Sequence, residues 1–429
     1  MSSEPPASSE RARAIGLAWL MVMIAAATKL GDGIVQTLFL ERVGPQYLPA
    51  LFAFNAVVDV VGGGLYLRLA RGRPHGAFFV ALLGGTALTT VGLWVLLQWA
   101  HPAIFVAAYV VHGVATMVVT LHWGTFLLDF FDQSRAGRIF PIVYSGARVG
   151  GIAGGMALAT LARLGAENLL VGVAALQLVA AVVARVLSRR VVEVRAAHAA
   201  EGGALGELRE GLALSRASPL LRAIAAGAVA MVLVRMTLRY LSGDALASQM
   251  DEGELARFLG QYTAAANAAG FVFQVLVMPR LIVRIGVAGA NLAYAILCVA
   301  ALGGMVVSHG IWTAAGARLV DAELKDAVKT PLSALFYGAL PPPERARARA
   351  FVLGLAIPIG SIVGGLCLQV LTDLPPRTVA WVGLLLGAGF VVATAVQNRG
   401  YRQALLRRLG DAAPGSPEAA ELQGALDSI

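Results

Sequence analysis

Lysine is almost missing from this chain. Of 34 basic residues only Lys29, Lys325 and Lys329 are lysine, and all three fall inside long apolar stretches. Cysteine is as scarce. Cys298 and Cys367 stand far apart, both within apolar stretches, which indicates neither a disulfide framework nor a metal site. Charged residues make up 14% of the chain against 58% hydrophobic, a balance foreign to a soluble domain of 429 residues. No phosphate-binding glycine loop, catalytic triad or metal-ligand cluster stands out, so the sequence points to no enzyme, no cofactor and no metal. The opening MSSEPPASSE is polar and partly acidic, unlike a cleaved signal peptide.

What is present is apolar length. Runs of about 20 residues, enough to cross ~30 Å of hydrocarbon, recur along almost the whole chain. Twelve are expected, roughly at 15–39, 47–67, 76–99, 103–127, 141–162, 168–187, 219–241, 257–279, 286–308, 311–338, 351–372 and 378–397. They define a terminus at 1–14, a six-helix half at 15–187, a central loop at 188–218, a second half at 219–397 and a tail at 398–429. The expected class is an all-α polytopic membrane protein, in contact with lipid on every side. An amphipathic helix near Leu205–Leu214 is expected to lie on the membrane surface.

The net charge of +9 does not indicate nucleic acid, because the arginines alternate with the spans. Arg68, Arg71 and Arg73 follow the second span, Arg185, Arg189 and Arg190 the sixth, and Arg345, Arg347 and Arg349 the tenth. The intervening loops hold little beyond Arg42, Arg163, Arg257 and Arg377. Cytoplasmic loops carry the excess of basic residues, so both termini are expected in the cytoplasm of a multi-pass protein of the inner membrane.

An internal repeat divides the spans six and six. Val149-Gly-Gly-Ile-Ala-Gly-Gly155 in the fifth span matches Ile359-Gly-Ser-Ile-Val-Gly-Gly365 in the eleventh, a shift of 210 positions. Small residues four apart let helix backbones approach closely in lipid. The same shift carries Lys29 onto Arg239, a cation in the first helix of each half. Two six-helix halves around a long central loop resemble the major facilitator superfamily. The segment Gly64-Leu-Tyr-Leu-Arg68-Leu-Ala-Arg71-Gly72-Arg73 keeps the glycines and basic residues of that superfamily's loop signature but lacks its acidic residue.

Further patches resemble the ATP/ADP translocases of plastids and intracellular bacteria, a branch related to the major facilitators. They are Thr28-Lys29 with Asp32, then Trp123-Gly124 with Asp129, Asp132, Arg138-Ile-Phe-Pro141 and Gly146, and Asp321…Lys325…Pro331-Leu332. Spans four and eight carry no interior glutamate, and span eleven no lysine, where that family has them. The resemblance implies a nucleotide or phosphorylated metabolite as the solute.

The tenth span concentrates charge. Arg318, Asp321, Glu323, Lys325, Asp326 and Lys329 lie within twelve residues between apolar flanks. At α-helical spacing Arg318, Asp321, Lys325 and Lys329 form one stripe, with Lys325 the natural i+4 partner of Asp321. Such a stripe is expected to line a water-filled cavity, because a charge at bilayer depth costs at least ~2.5 kcal/mol. Candidate solute contacts are therefore Lys29, Arg235, Arg239, Arg318, Lys325 and Lys329, with His112 and Trp123 on one face of span four. Asp32, Asp59 and Asp321 are candidates for ion coupling or structural ion pairs. These residues suit a secondary transporter of an anionic organic solute. Two alternatives stay open: a proton-coupled carrier of a non-nucleotide substrate, and a membrane scaffold or sensor whose buried charges only set helix register.

Overall fold

The computed structural model describes residues 7–130, 133–189 and 203–411, with scattered positions beyond. Asp132, the side chains of Arg138 and Pro141, most of the central loop and most of the tail lie outside the described residues. Every element among the described residues is helical. The chain begins with α1 (Ala7–Arg42), α2 (Leu48–Ala70), α3 (His75–Leu97), α4 (Pro102–Leu128), α5 (Gln133–Leu161) and α6 (Leu170–Ser188). It continues with α7 (Gly203–Ala217), α8 (Pro219–Ala247), α9 (Glu252–Val272), α10 (Met278–Val307) and α11 (Ile311–Arg318). The last elements are α12 (Thr330–Gly338), α13 (Pro342–Phe351), α14 (Ile357–Leu371) and α15 (Pro376–Asp411). Turns of π-helix join α9 to α10, α11 to α12, and α13 to α14.

Ten helical stretches among the described residues are long and apolar enough to cross a membrane. The count of twelve read from sequence differs for two physical reasons. One stretch, Glu252–Val307, is 56 residues long and covers two expected spans. It breaks at Gly286, whose φ of 69° and ψ of 175° are available to glycine and strained for any other residue. The other missing span, 311–338, is helical throughout but too rich in charge to qualify on composition.

Two compact units emerge. The first contains Met1–Gly44, Val61–Ala199 and Met250–Phe271; the second contains Pro45–Val60, Ala200–Gln249 and Val272–Ile429. Burial of apolar side chains gives no driving force against lipid, so close backbone packing must hold each unit. In the first unit α5 lies on α1 with its glycines turned inward. A Cβ added to Gly154 would stand 2.5 Å from the Ala26 carbonyl oxygen. Its neighbour Gly155 faces the other way, where a Cβ would stand 2.7 Å from the Gly260 carbonyl oxygen on α9. The second unit repeats this arrangement with the matching residues. Gly364 packs on Leu233 of α8, and a Cβ on Gly365 would stand 2.5 Å from the Pro49 carbonyl oxygen at the start of α2. The sequence repeat is therefore also a repeat of packing.

The expected amphipathic helix near Leu205–Leu214 is α7, and it is docked on protein. Glu210 pairs with Arg347 of α13 at 2.8 Å, and the bare backbone at Gly211 admits Phe351 and the Arg347 carbonyl.

Candidate functional site

Several of the charged candidates come together within each unit. In the first unit, Lys29 and Asp32 stand one helical turn apart on α1, Nζ to Oδ2 3.8 Å. Nε2 of His112 on α4 approaches the other carboxylate oxygen of Asp32 at 3.2 Å. The Lys29 and Asp32 side chains are 42% and 44% exposed, whereas His112 is buried. Beside them Thr28, Thr86, Thr116 and Gln177 line a void of about 10 Å³, room for a single water.

Trp123 lies elsewhere. It is buried in the core cluster of the first unit with Phe79, Phe126 and Leu83. Asp59 is exposed on α2 and belongs to the second unit.

The second cluster is built on a π-helical stretch, Leu319–Lys329. Its i→i+5 bonding gives each turn more residues than an α-helix, so residues spaced for one α-helical face no longer share one. The stripe expected from α-helical spacing is broken accordingly. Asp321, Glu323 and Lys329 are buried, while Lys325 and Asp326 are 29% and 54% exposed and pair with each other at 2.6 Å. Asp321 does not use Lys325 as its partner. It binds two arginines of α8: Arg235 Nε meets Oδ1 at 2.8 Å, and Arg239 Nη2 meets Oδ2 at 3.0 Å. Arg235 also donates to the Asp321 carbonyl at 3.1 Å. The spacing of Arg235 and Arg239 explains their joint use, since residues four apart share a face of an α-helix.

Lys329 departs furthest from the expectation of a cavity-lining cation. Only 4% of it is exposed, and its Nζ donates to Asn291 Oδ1 on α10 at 2.6 Å. The rings of Phe336 and Phe390 flank the ammonium at 5.9 Å each. Asn291 in turn donates to Asn398 of α15, which donates to the Ala288 carbonyl. Sequence reasoning misses these two asparagines. The available signal is Asn291, the single amide of α10, and the adjacent Gln397 and Asn398 inside α15, where unsatisfied polar groups are costly.

No protein-family model and no curated protein matches the chain. The arrangement of its helices is nonetheless a known one, the major-facilitator fold. The chain is similar to a point mutant of the nucleoside transporter NupG, with 12% identity, a TM-score of 0.69, and 90% of this chain and 99% of that one covered. It is also similar to the POT family transporter PepTSo, with 13% identity, a TM-score of 0.66 and coverage of 91% and 98%. A bacterial homologue of the human lysosomal transporter Spinster aligns at 14% identity and a TM-score of 0.59, covering 96% and 100%.

Proposed function

We propose that this chain is a secondary transporter of the inner membrane that moves an anionic organic solute by alternating access. A nucleotide or phosphorylated metabolite is the first candidate. The observation that carries this reading is a pair of lysines deep in apolar segments, Lys29 and Lys325, whose side chains are 42% and 29% exposed. A cation at that depth is tolerable where water reaches it, and water that reaches it can bring an anion. Lysine is a point-charge partner for phosphate, and Arg239 adds a planar fork suited to carboxylate or phosphate. The fold is shared with a nucleoside transporter and with a POT family transporter, whose solutes differ, so the choice of an anion rests on this chain's own cations. A second reading, a proton-coupled carrier of a non-nucleotide substrate, is favoured by Asp59, a carboxylate exposed within an apolar helix.

Thermal unfolding of the purified protein with a panel of nucleotides, sugar phosphates, dicarboxylates, nucleosides and peptides tests the first reading. An anion at a hundredfold its Kd stabilises the folded state by ~2.7 kcal/mol, a shift of several degrees. Stabilisation by neutral nucleosides or peptides alone would reject the anionic solute. Orientation is tested separately. Reporter tags at either end and in 195–205 are expected in the cytoplasm, and tags in 245–255 and 373–377 outside, because arginine asymmetry orients short loops. Accessibility of the carboxyl end from outside would remove this topology.

A further inference from the structure

Asp321 is one carboxylate shared by two guanidinium groups, and the three side chains are unequally exposed. Asp321 is 6% exposed and Arg235 20%, but Arg239 is 39% exposed. Arg239 is the arginine that solvent reaches more. Arg239 donates from Nε to Oδ2 at 3.0 Å, and its Nη2 stands at the same distance in the ion pair. The ring of Phe52 stands 5.7 Å from its guanidinium carbon and holds the group beside the carboxylate. Arg235, deeper, is fixed by the Asp321 carbonyl as well as the carboxylate.

We infer that Asp321 is a resident counter-ion, standing in for the solute's anionic group on Arg239 until the solute arrives. An arriving carboxylate or phosphate takes over the fork of Arg239, and Asp321 stays paired with Arg235. The second arginine is what makes this exchange feasible. A buried carboxylate that loses its last cationic partner is strongly destabilising, and here Arg235 remains. Competition from Asp321 lowers the apparent affinity for every anion by the fraction of time it releases Arg239. Asp321 thereby sets the affinity that any anion needs in order to occupy Arg239. The inference rests on the anionic-solute reading given above.

The test uses the intact purified protein and phenylglyoxal, which modifies accessible arginines, with modification of Arg239 followed by peptide mass spectrometry. ADP and inorganic pyrophosphate are the probes. In Asp321→Asn, Arg239 is expected to react faster, and the probe concentration giving half-protection is expected to fall about tenfold, as it should if Asp321 releases Arg239 for about a tenth of the time in the wild type. Asp244→Asn removes a negative charge from the helix that carries Arg239, where it pairs with His309, and is expected to leave that concentration unchanged. If Asp321→Asn fails to fold, the double variant Arg235→Gln/Asp321→Asn removes one charge of each sign and should show the same fall. Equal half-protection in the wild type and the asparagine variants would overturn the inference. Absence of protection by both probes in all variants would instead overturn the anionic-solute reading, and this assignment with it.

Discussion

Lys29→Ala protein is expected to fold in normal yield and to lose its stabilisation by nucleotide or phosphorylated ligands. The two halves of that expectation have separate grounds. Lys29 is 42% exposed and 3.8 Å from Asp32, and exposed ion pairs contribute only ~0–1 kcal/mol to stability. Asp32 also keeps His112, at 3.2 Å. A hydrogen bond to a charged ligand group contributes more, about 1.5–3 kcal/mol, so Kd should rise roughly 10- to 150-fold. Lys29→Arg should also weaken binding, because a planar fork does not reproduce a compact ammonium. Titration of each variant with the ligand found for the wild type measures this directly. An unchanged Kd in Lys29→Ala would reduce Lys29 to the partner of Asp32.

The largest expected loss of stability comes from Gly154→Leu. At that position α5 meets α1 backbone to backbone, and even a first carbon would stand 2.5 Å from the Ala26 carbonyl oxygen. A flexible side chain could move aside, but a helix backbone cannot shift without moving the whole of α1. Overpacking in a well-packed core typically costs ~1–3 kcal/mol, and a leucine against backbone should exceed that range. Gly85→Leu on α3 is the matched control, since no atom lies within 4 Å of a Cβ there. Folded yield by size-exclusion chromatography and the unfolding temperature should fall for the first variant and stay near the wild type for the second. Equal yields would mean that α1 and α5 are not held at this crossing.

Much of the fold is written locally and so can be read from the sequence. Apolar length sets the spans, arginine placement gives the expected orientation, and the glycine pairs of α5 and α14 recur at a fixed shift because each pair packs closely on the first helix of its half and on a second helix. The site is less legible, since its partners come from distant helices. Asp321 has Lys325 four residues away, yet its cations are Arg235 and Arg239, 86 and 82 positions earlier. The reading fails at one local feature, the π-helical Leu319–Lys329, because spacing rules assume 3.6 residues per turn. Lys329 shows the complementary failure. Its charge suggests a cavity, and only the distant Asn291, 38 positions away, reveals that it is a buried hydrogen-bonded group. Trp123 shares a helical face with His112, but aromatic neighbours on α3 and α4 claim it for the core.

The scarcity of lysine has a practical consequence for anyone handling the protein. Its ε-amines number three, all within apolar helices, and Lys329 is sealed off by its surroundings. An amine-directed dye or cross-linker therefore has two accessible side-chain targets, Lys29 and Lys325, one in each unit. Elsewhere such reagents scatter over a surface; here their uptake reads out two interior positions against an almost silent background.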